Sequence, residues 1–340
     1  WVSGHTLMLR EGYVWIGVSA RSDGVTNLKA SNPDRYGTLN HPGNSFSYDI
    51  LSQVSEAIRS PSGVDILGGL NAQKIMAIGQ ALPSRYMVTY VNAVHPLYNS
   101  YDGYRLSRRN ANGMPLSVPP QESVETPDVT KIRTDLNVPV MTVQSETDIF
   151  LRDFVTVRQE DTDKFRLWEV ASTSHVDVYS ITGLSDEGTD PSFAVVDEVD
   201  PYGCDFPVNQ GPFSWVFNAA VDALTKWMRS GIEPPNAEYL AVSDDRSHFL
   251  YDEVGNVIGG VRTPYVDSPA AVLSGEGQSG PALCHLSGTT KLLDSAFMAS
   301  EFTDKAGYVE AVSNATDDAV AEGFLLPSDA QRIKAAASLQ

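Results

Sequence analysis

Cleaving an ester or amide through a covalent intermediate takes three groups. A hydroxyl attacks, an imidazole takes its proton, and a carboxylate orients and stabilises the resulting imidazolium. This 340-residue chain offers groups of the second and third kind on two separate loops. Glu146 and Asp148 lie in Gln144-Ser145-Glu146-Thr147-Asp148, and His175 ends Ala171-Ser172-Thr173-Ser174-His175. Ahead of both stands Gly79-Gln80-Ala81-Leu82-Pro83, a Gly-x-nucleophile-x-small frame. Between a strand and a helix, such a frame makes a tight elbow that lifts its middle side chain above the sheet edge. Here that side chain is a methyl group, which cannot attack. Leu82 remains placed to offer a backbone N–H to an oxyanion. Ser84 is the nearest hydroxyl, but three residues into the helix it should point away from His175. Nucleophile position, acid and base thus follow one another in chain order. Asp148 is preferred to Glu146 as the acid, because it sits further beyond its strand, where a turn can aim it. The structural alternatives are that both carboxylates cap the turn and that His175 is a hydrogen-bonded core histidine.

The elements that must carry these loops are legible as apolar patterns. Met87, Val91 and Val94, spaced by four and three, predict the helix leaving the elbow and closing at His95-Pro96, with His95 a helix-end residue. A nearly continuous apolar run predicts a strand covered on both faces at Tyr13–Ser19. A short buried strand is read around Ile75–Ile78, β-branched and apolar residues mark another at Val138–Val143, and further strands are read over Tyr101–Leu106 and Phe165–Val170. From Arg21 to Asn44 a loop is expected, whose Tyr36, His41 and Pro42 either line a site or simply pack. Ser45 and Ser47 are capping candidates for a helix with Ile50, Val54 and Ile58 on one face. Ser107–Asp135 is polar and proline-rich, too irregular for a helical cap. A long loop over Gly183–Pro212 precedes a helix with Phe217, Val221, Leu224 and Met228 inward. The alternation predicts an α/β protein with a mainly parallel, doubly wound sheet and helices on both faces. After Ala237 the pattern changes to a hairpin around Asp252–Asn256 and helical stretches between Leu293 and Ala337. Residues 1–236 are therefore expected to form the α/β core and 237–340 a C-terminal extension packed on it.

Composition narrows the function. With 24 basic against 43 acidic residues the formal charge is −19, which disfavours nucleic acid and anionic membrane as partners. No apolar run approaches the ~20 residues of a membrane helix. The six histidines are scattered without metal-ligand spacing, so no metal and no cofactor is expected. Cys204 and Cys284 are compatible with one bridge or with two buried thiols. The chain opens on Trp1 and enters an apolar run almost at once, as a fragment would.

These strings are similar to those of the bacterial α/β-hydrolase-domain family. Its members carry GYVWIGVSA, HPG-x-x-x-SYDI, TYVNAVHP, RLWEVA-x-T-x-H, GP-x-x-x-V-x-x-A and GGVRTP, which here span Gly12–Ala20, His41–Ile50, Thr89–Pro96, Arg166–His175, Gly211–Ala219 and Gly259–Pro264. The likeness runs the full length, to Gly323–Pro327. It implies an α/β-hydrolase fold and a serine hydrolase of the esterase kind acting on a small-molecule ester. The base falls on His175, the acid on the Glu146–Asp148 turn, and Cys204 pairs with Cys284, which would favour an extracytoplasmic setting. The family's elbow reads GQS-x-S, and this chain departs from it at Ala81. The usual second oxyanion donor comes from a loop after an earlier strand, which on this reading lies before Trp1, so the first strands of the core are missing. Aromatic Tyr36, Phe213 and Trp215 are candidates for an apolar mouth. A non-catalytic binding protein on the same scaffold is the alternative function.

Overall fold

In the computed structural model, residues 4–182, 202–211 and 213–339 are described. Four parallel strands lie side by side in chain order: β1 (Met76–Gln80), β2 (Gly103–Ser107), β3 (Val140–Ser145) and β4 (Phe165–Val170). The register sets Ala77 beside Tyr104, Leu106 beside Thr142 and Val143 beside Trp168. Every position of β2, β3 and β4 is buried. Burial on both faces is the pattern of a covered parallel sheet, and here it takes in Arg105, Arg166 and Glu169 along with the apolar side chains. Because the strands are parallel, their C-terminal ends share one rim, and the three loops that could do chemistry leave from that rim.

Each face of the sheet has its own apolar layer. On one face, Ala77, Tyr104, Leu106, Val140 and Leu167 pack with α1 (Ser47–Arg59), α2 (Leu82–Thr89) and the chain after β3, including Ile149 of α3 (Glu146–Leu151) and Phe154. On the other, Met141, Val143, Trp168 and Val170 pack against α4 (Phe213–Ser230) and a short helix at His5–Arg10. Of the positions predicted inward on α4, Phe217, Val221 and Leu224 are buried and Met228 is partly buried against the same layer. On α1 the buried stripe is Tyr48, Leu51, Ser55 and Ile58, one position off the expected Ile50–Val54 line. The elbow helix runs on beyond Thr89 through a π-helical turn, Tyr90–Val94, into His95–Tyr98. His95 is buried there between the Tyr104 hydroxyl at 2.9 Å and Asn137 at 3.2 Å, a structural role.

Beyond residue 236 the chain adds a hairpin, a ribbon and helices, some of which pack against α4. Antiparallel bridges Val242–Phe249 and Tyr251–Val257 form the expected hairpin around Asp252. A two-stranded antiparallel ribbon, β5 (Ala271–Ser274) and β6 (Thr289–Leu292), follows. Helices Ser295–Phe302, α5 (Lys305–Ala321) and α6 (Pro327–Leu339) close the chain around Trp215, Tyr265 and Val312. Cys204 and Cys284 form a disulfide, S–S 2.00 Å, that ties the 202–211 segment to this part of the chain.

Three expectations fail: neither Ser45 nor Ser47 caps α1, whose N-cap is Phe46 without a side-chain hydrogen bond, and two more lie nearer the start of the chain. Tyr13–Ser19 is not a strand: no strand of the described residues pairs with it, and Val14, Ile16 and Val18 are 57%, 38% and 37% exposed. An apolar run becomes a strand only when a neighbour takes its backbone hydrogen bonds. Arg21–Asn44 is not all loop, since Ser22–Ser31 and Pro33–Tyr36 are helical, the second capped by Asn32 accepting from Arg35 N. Most of the Gly183–Pro212 loop lies outside the described residues.

Candidate active site

The elbow forms as the residue spacing requires. Ala81 takes φ 55° and ψ −123°, a conformation that costs a non-glycine residue of the order of 1–3 kcal/mol. Its N–H donates to Ser107 O at 2.9 Å, and its carbonyl accepts from both Ser84 N and Ser84 Oγ. Ser84 is buried and occupied in capping the turn, which removes it as a substitute nucleophile. Gly79 is obligatory here: a Cβ would stand 2.8 Å from Ser84 Cα and 2.9 Å from Pro83 O. Leu82 opens α2, so its N–H has no acceptor within the helix and points out of the helix start.

At the end of β3, Ser145 caps α3 in a capping box with Asp148. Asp148 Oδ2 accepts from Ser145 N at 2.9 Å and from Ser145 Oγ at 2.7 Å. That leaves Oδ1 free to meet His175 Nδ1 at 2.5 Å. Burial pushes the Asp148 carboxyl up, but the charge and hydrogen bond of His175, with the two Ser145 donors, hold it below the ordinary carboxylate range. An acid fixed on one side by its own helix start can orient an imidazole on the other.

Glu146 does different work. Its Oε1 accepts from Ser172 N at 2.5 Å and its Oε2 from Gly275 N at 2.7 Å, so it clamps the histidine loop to the chain just after β5. Burial raises its carboxyl to about 8, with the two N–H donors opposing and the charge of Glu276 adding to the rise. The two acids that the sequence left in competition are thus divided: Asp148 holds the imidazole, and Glu146 holds the loop.

His175 is buried at the rim, its own N–H donating to Thr147 Oγ1 at 3.1 Å. Thr147 in turn donates to Gly275 O at 2.7 Å, and Val176 N donates to Leu286 O at 2.8 Å. Gly275 comes so close that a Cβ would lie 2.5 Å from Glu146 Cβ. The sequence reading missed Asn209. Fully buried, it donates to Ser172 O at 3.2 Å and Ser274 O at 2.9 Å while accepting from Gly211 N at 2.7 Å. An asparagine two residues before a Gly-Pro gave no signal of such a role. Gly275 was equally silent, lying in a Gly- and Ser-rich stretch.

Other expected positions do not gather at the site. Phe213 and Trp215 are buried, the first beneath Arg108 and the second in the C-terminal helical layer. His41 ties a loop through Ala20 O at 3.1 Å and Gly43 N at 3.0 Å. Among the described residues no three His, Cys, Asp or Glu side chains come together as a metal site would need. Nor is any helix there long and apolar enough to cross a membrane.

A parallel sheet with an elbow after one strand, a carboxylate after a later one and a histidine after the next is the architecture of the α/β hydrolases. The chain belongs to that family: residues 1–335 match the model of the alpha/beta hydrolase domain. No curated protein and no solved structure matches it.

Proposed function

We propose that this scaffold is that of an ester hydrolase whose base is His175, whose orienting acid is Asp148, and whose nucleophile position is Ala81. The observation that carries the reading is the 2.5 Å contact between Asp148 Oδ1 and His175 Nδ1, held at the rim from which the elbow also leaves. With a serine at position 81, His175 would take the hydroxyl proton as oxygen attacks the ester carbonyl. The imidazolium would then protonate the departing alcohol, and water would repeat the sequence on the acyl-enzyme. Leu82 N–H would donate to the oxyanion. As written, the chain keeps base and acid but forms no acyl-enzyme.

Ala81 itself favours a second reading, a non-catalytic protein that binds a small ester-like molecule at the same rim. Restoring the hydroxyl separates the two. Ala81→Ser should hydrolyse short aryl esters and take up an organophosphonate covalently at residue 81. A restored protein that binds such compounds without turnover or labelling would leave only the binding role. The Cys204–Cys284 disulfide fits an oxidising, extracytoplasmic compartment.

A further inference from the structure

We infer that Ser107 and Arg108, at the exit of β2, are positioning residues that fix the spacing between the elbow and the histidine loop. This rests on reading the rim as an ester-hydrolysing site. Neither residue belongs to the proton relay, yet three parts of the rim converge on them. The Ser107 carbonyl accepts Ala81 N–H at 2.9 Å, and its Oγ donates to Gly79 O at 3.4 Å. The Arg108 N–H donates to Val143 O at 3.0 Å, on the strand that leads to Asp148. The Arg108 guanidinium reaches Asp177, two residues past His175, with Nη2 2.9 Å from Oδ2 and Nη1 3.3 Å from Ser180 Oγ. Asp177 Oδ1 meanwhile accepts from Ser180 N at 2.7 Å, in the short helix Val178–Thr182 that follows the histidine. Two consecutive residues therefore hold the elbow, the acid's strand and the base's segment together.

The backbone supports a role for this side chain. Arg108 has φ 51°, a left-handed conformation that glycine adopts freely and a long side chain does not. What an arginine brings to such a position is its guanidinium. That group lies over the Phe213 ring at 4.1 Å, and the Arg108–Asp177 pair is 2% and 3% exposed. A buried pair of this kind is rigid, because separating it strands a charge away from water. Hydrogen bonding alone does not explain it, since Arg108 Nε is buried without an acceptor. The strut matters to chemistry because a base acts only within hydrogen-bond reach of the proton it takes.

The test replaces both charges at once, Arg108→Met with Asp177→Asn, so that no buried charge is stranded and the introduced amide oxygen still accepts from Ser180 N. In the Ala81→Ser background, kcat should fall on the order of 10–100-fold, the loss a displacement near 1 Å causes, with KM within about twofold. Phosphonate labelling should slow by the same factor, while thermal unfolding stays near that of the parent. Arg108→Lys, which keeps a cation near Asp177, should recover part of the rate. A folded double variant that turns over at the parental rate would overturn the inference. If Ala81→Ser itself shows neither turnover nor labelling, the hydrolase reading fails on its own. The strut is then judged in the Ala81 chain: a crystal structure of the double variant should show the Ala81–His175 separation changed, and an unchanged separation sinks it.

Discussion

The rim has two halves, the Asp148–His175 side and the elbow at Ala81, and both are held by hydrogen bonds. In the acid–base half, Asp148, His175, Glu146, Thr147 and Asn209 are buried and each is hydrogen-bonded, most of them to more than one chain segment. In the nucleophile half, the backbone is held just as firmly: Ala81 sits at φ 55° with its N–H and carbonyl both engaged. The side chain at its centre is a methyl group. On the proposed reading the halves differ in that side chain, and the sharpest tests act on it or on its direct counterparts.

The largest effect expected is from Ala81→Ser. Loss of a triad serine can cost on the order of a million-fold in turnover, so the restored chain should exceed the parent by several orders of magnitude in ester hydrolysis. An increase below tenfold would show that the nucleophile half is impaired beyond its side chain. Next in size is Asp148→Asn in the restored background. An asparagine amide facing Nδ1 imposes the wrong imidazole tautomer, and a drop on the order of 10⁴-fold in kcat is expected, with little change in KM. The same substitution has a second readout that needs no activity. Because the Asp148 carboxyl is held below its ordinary value, it stabilises the fold above that value and the contribution is lost as pH falls through the depressed one. The parent should therefore lose stability on acidification more steeply than Asp148→Asn, and parallel acid-unfolding curves would count against the pairing.

Much of this rim was legible in the residues. Gly79–Pro83, Asp148 and His175 stand out because a nucleophile frame, a carboxylate and an imidazole each follow an apolar run, and parallel strands bring such loops to one edge. Regular spacing located α4, and stretches rich in large apolar and β-branched residues between turn-forming segments located the four strands. What could not be read was the bracing. Asn209, Gly275 and Arg108 act through long-range contacts, and none carries a local pattern. The choice between Glu146 and Asp148 turned on which oxygen met which N–H, a matter of angstroms and not of spacing along the chain. Tyr13–Ser19 misled for the opposite reason: its composition is that of a covered strand, but pairing is decided by a neighbour.

Glu146 and Asp148 also differ in the sign of their response to pH, which sharpens the division between them. The Glu146 carboxyl, raised to about 8 from 4.5, binds its proton more tightly in the folded chain than in the unfolded one. Its contribution to stability is full below the unfolded value and is lost as pH rises toward about 8. Glu146→Gln removes that dependence. It should cost about 1–3 kcal/mol at pH 5, because one of Ser172 N–H and Gly275 N–H then faces an amide NH₂. The gap to the parent should narrow as pH climbs to 8, as urea unfolding at several pH values would reveal. A gap that is constant or widens with pH would mean that Glu146 is an ordinary ionised clamp.

The smallest effect, and the one that isolates the elbow, is expected of Ala81→Gly. Glycine relieves the positive-φ strain, of the order of 1–3 kcal/mol, but adds roughly 0.5–1 kcal/mol of backbone entropy to the unfolded chain. The balance predicts stabilisation of about 1 kcal/mol, seen as a modest rise in Tm. The same change at an ordinary helical alanine such as Ala219 in α4 should instead destabilise by about 1 kcal/mol, apart from any loss of packing. If Ala81→Gly lowers Tm as Ala219→Gly does, the elbow is not strained in solution. The nucleophile half would then be looser than the acid–base half after all, and a restored serine would be held less well than the Asp148–His175 pair that must serve it.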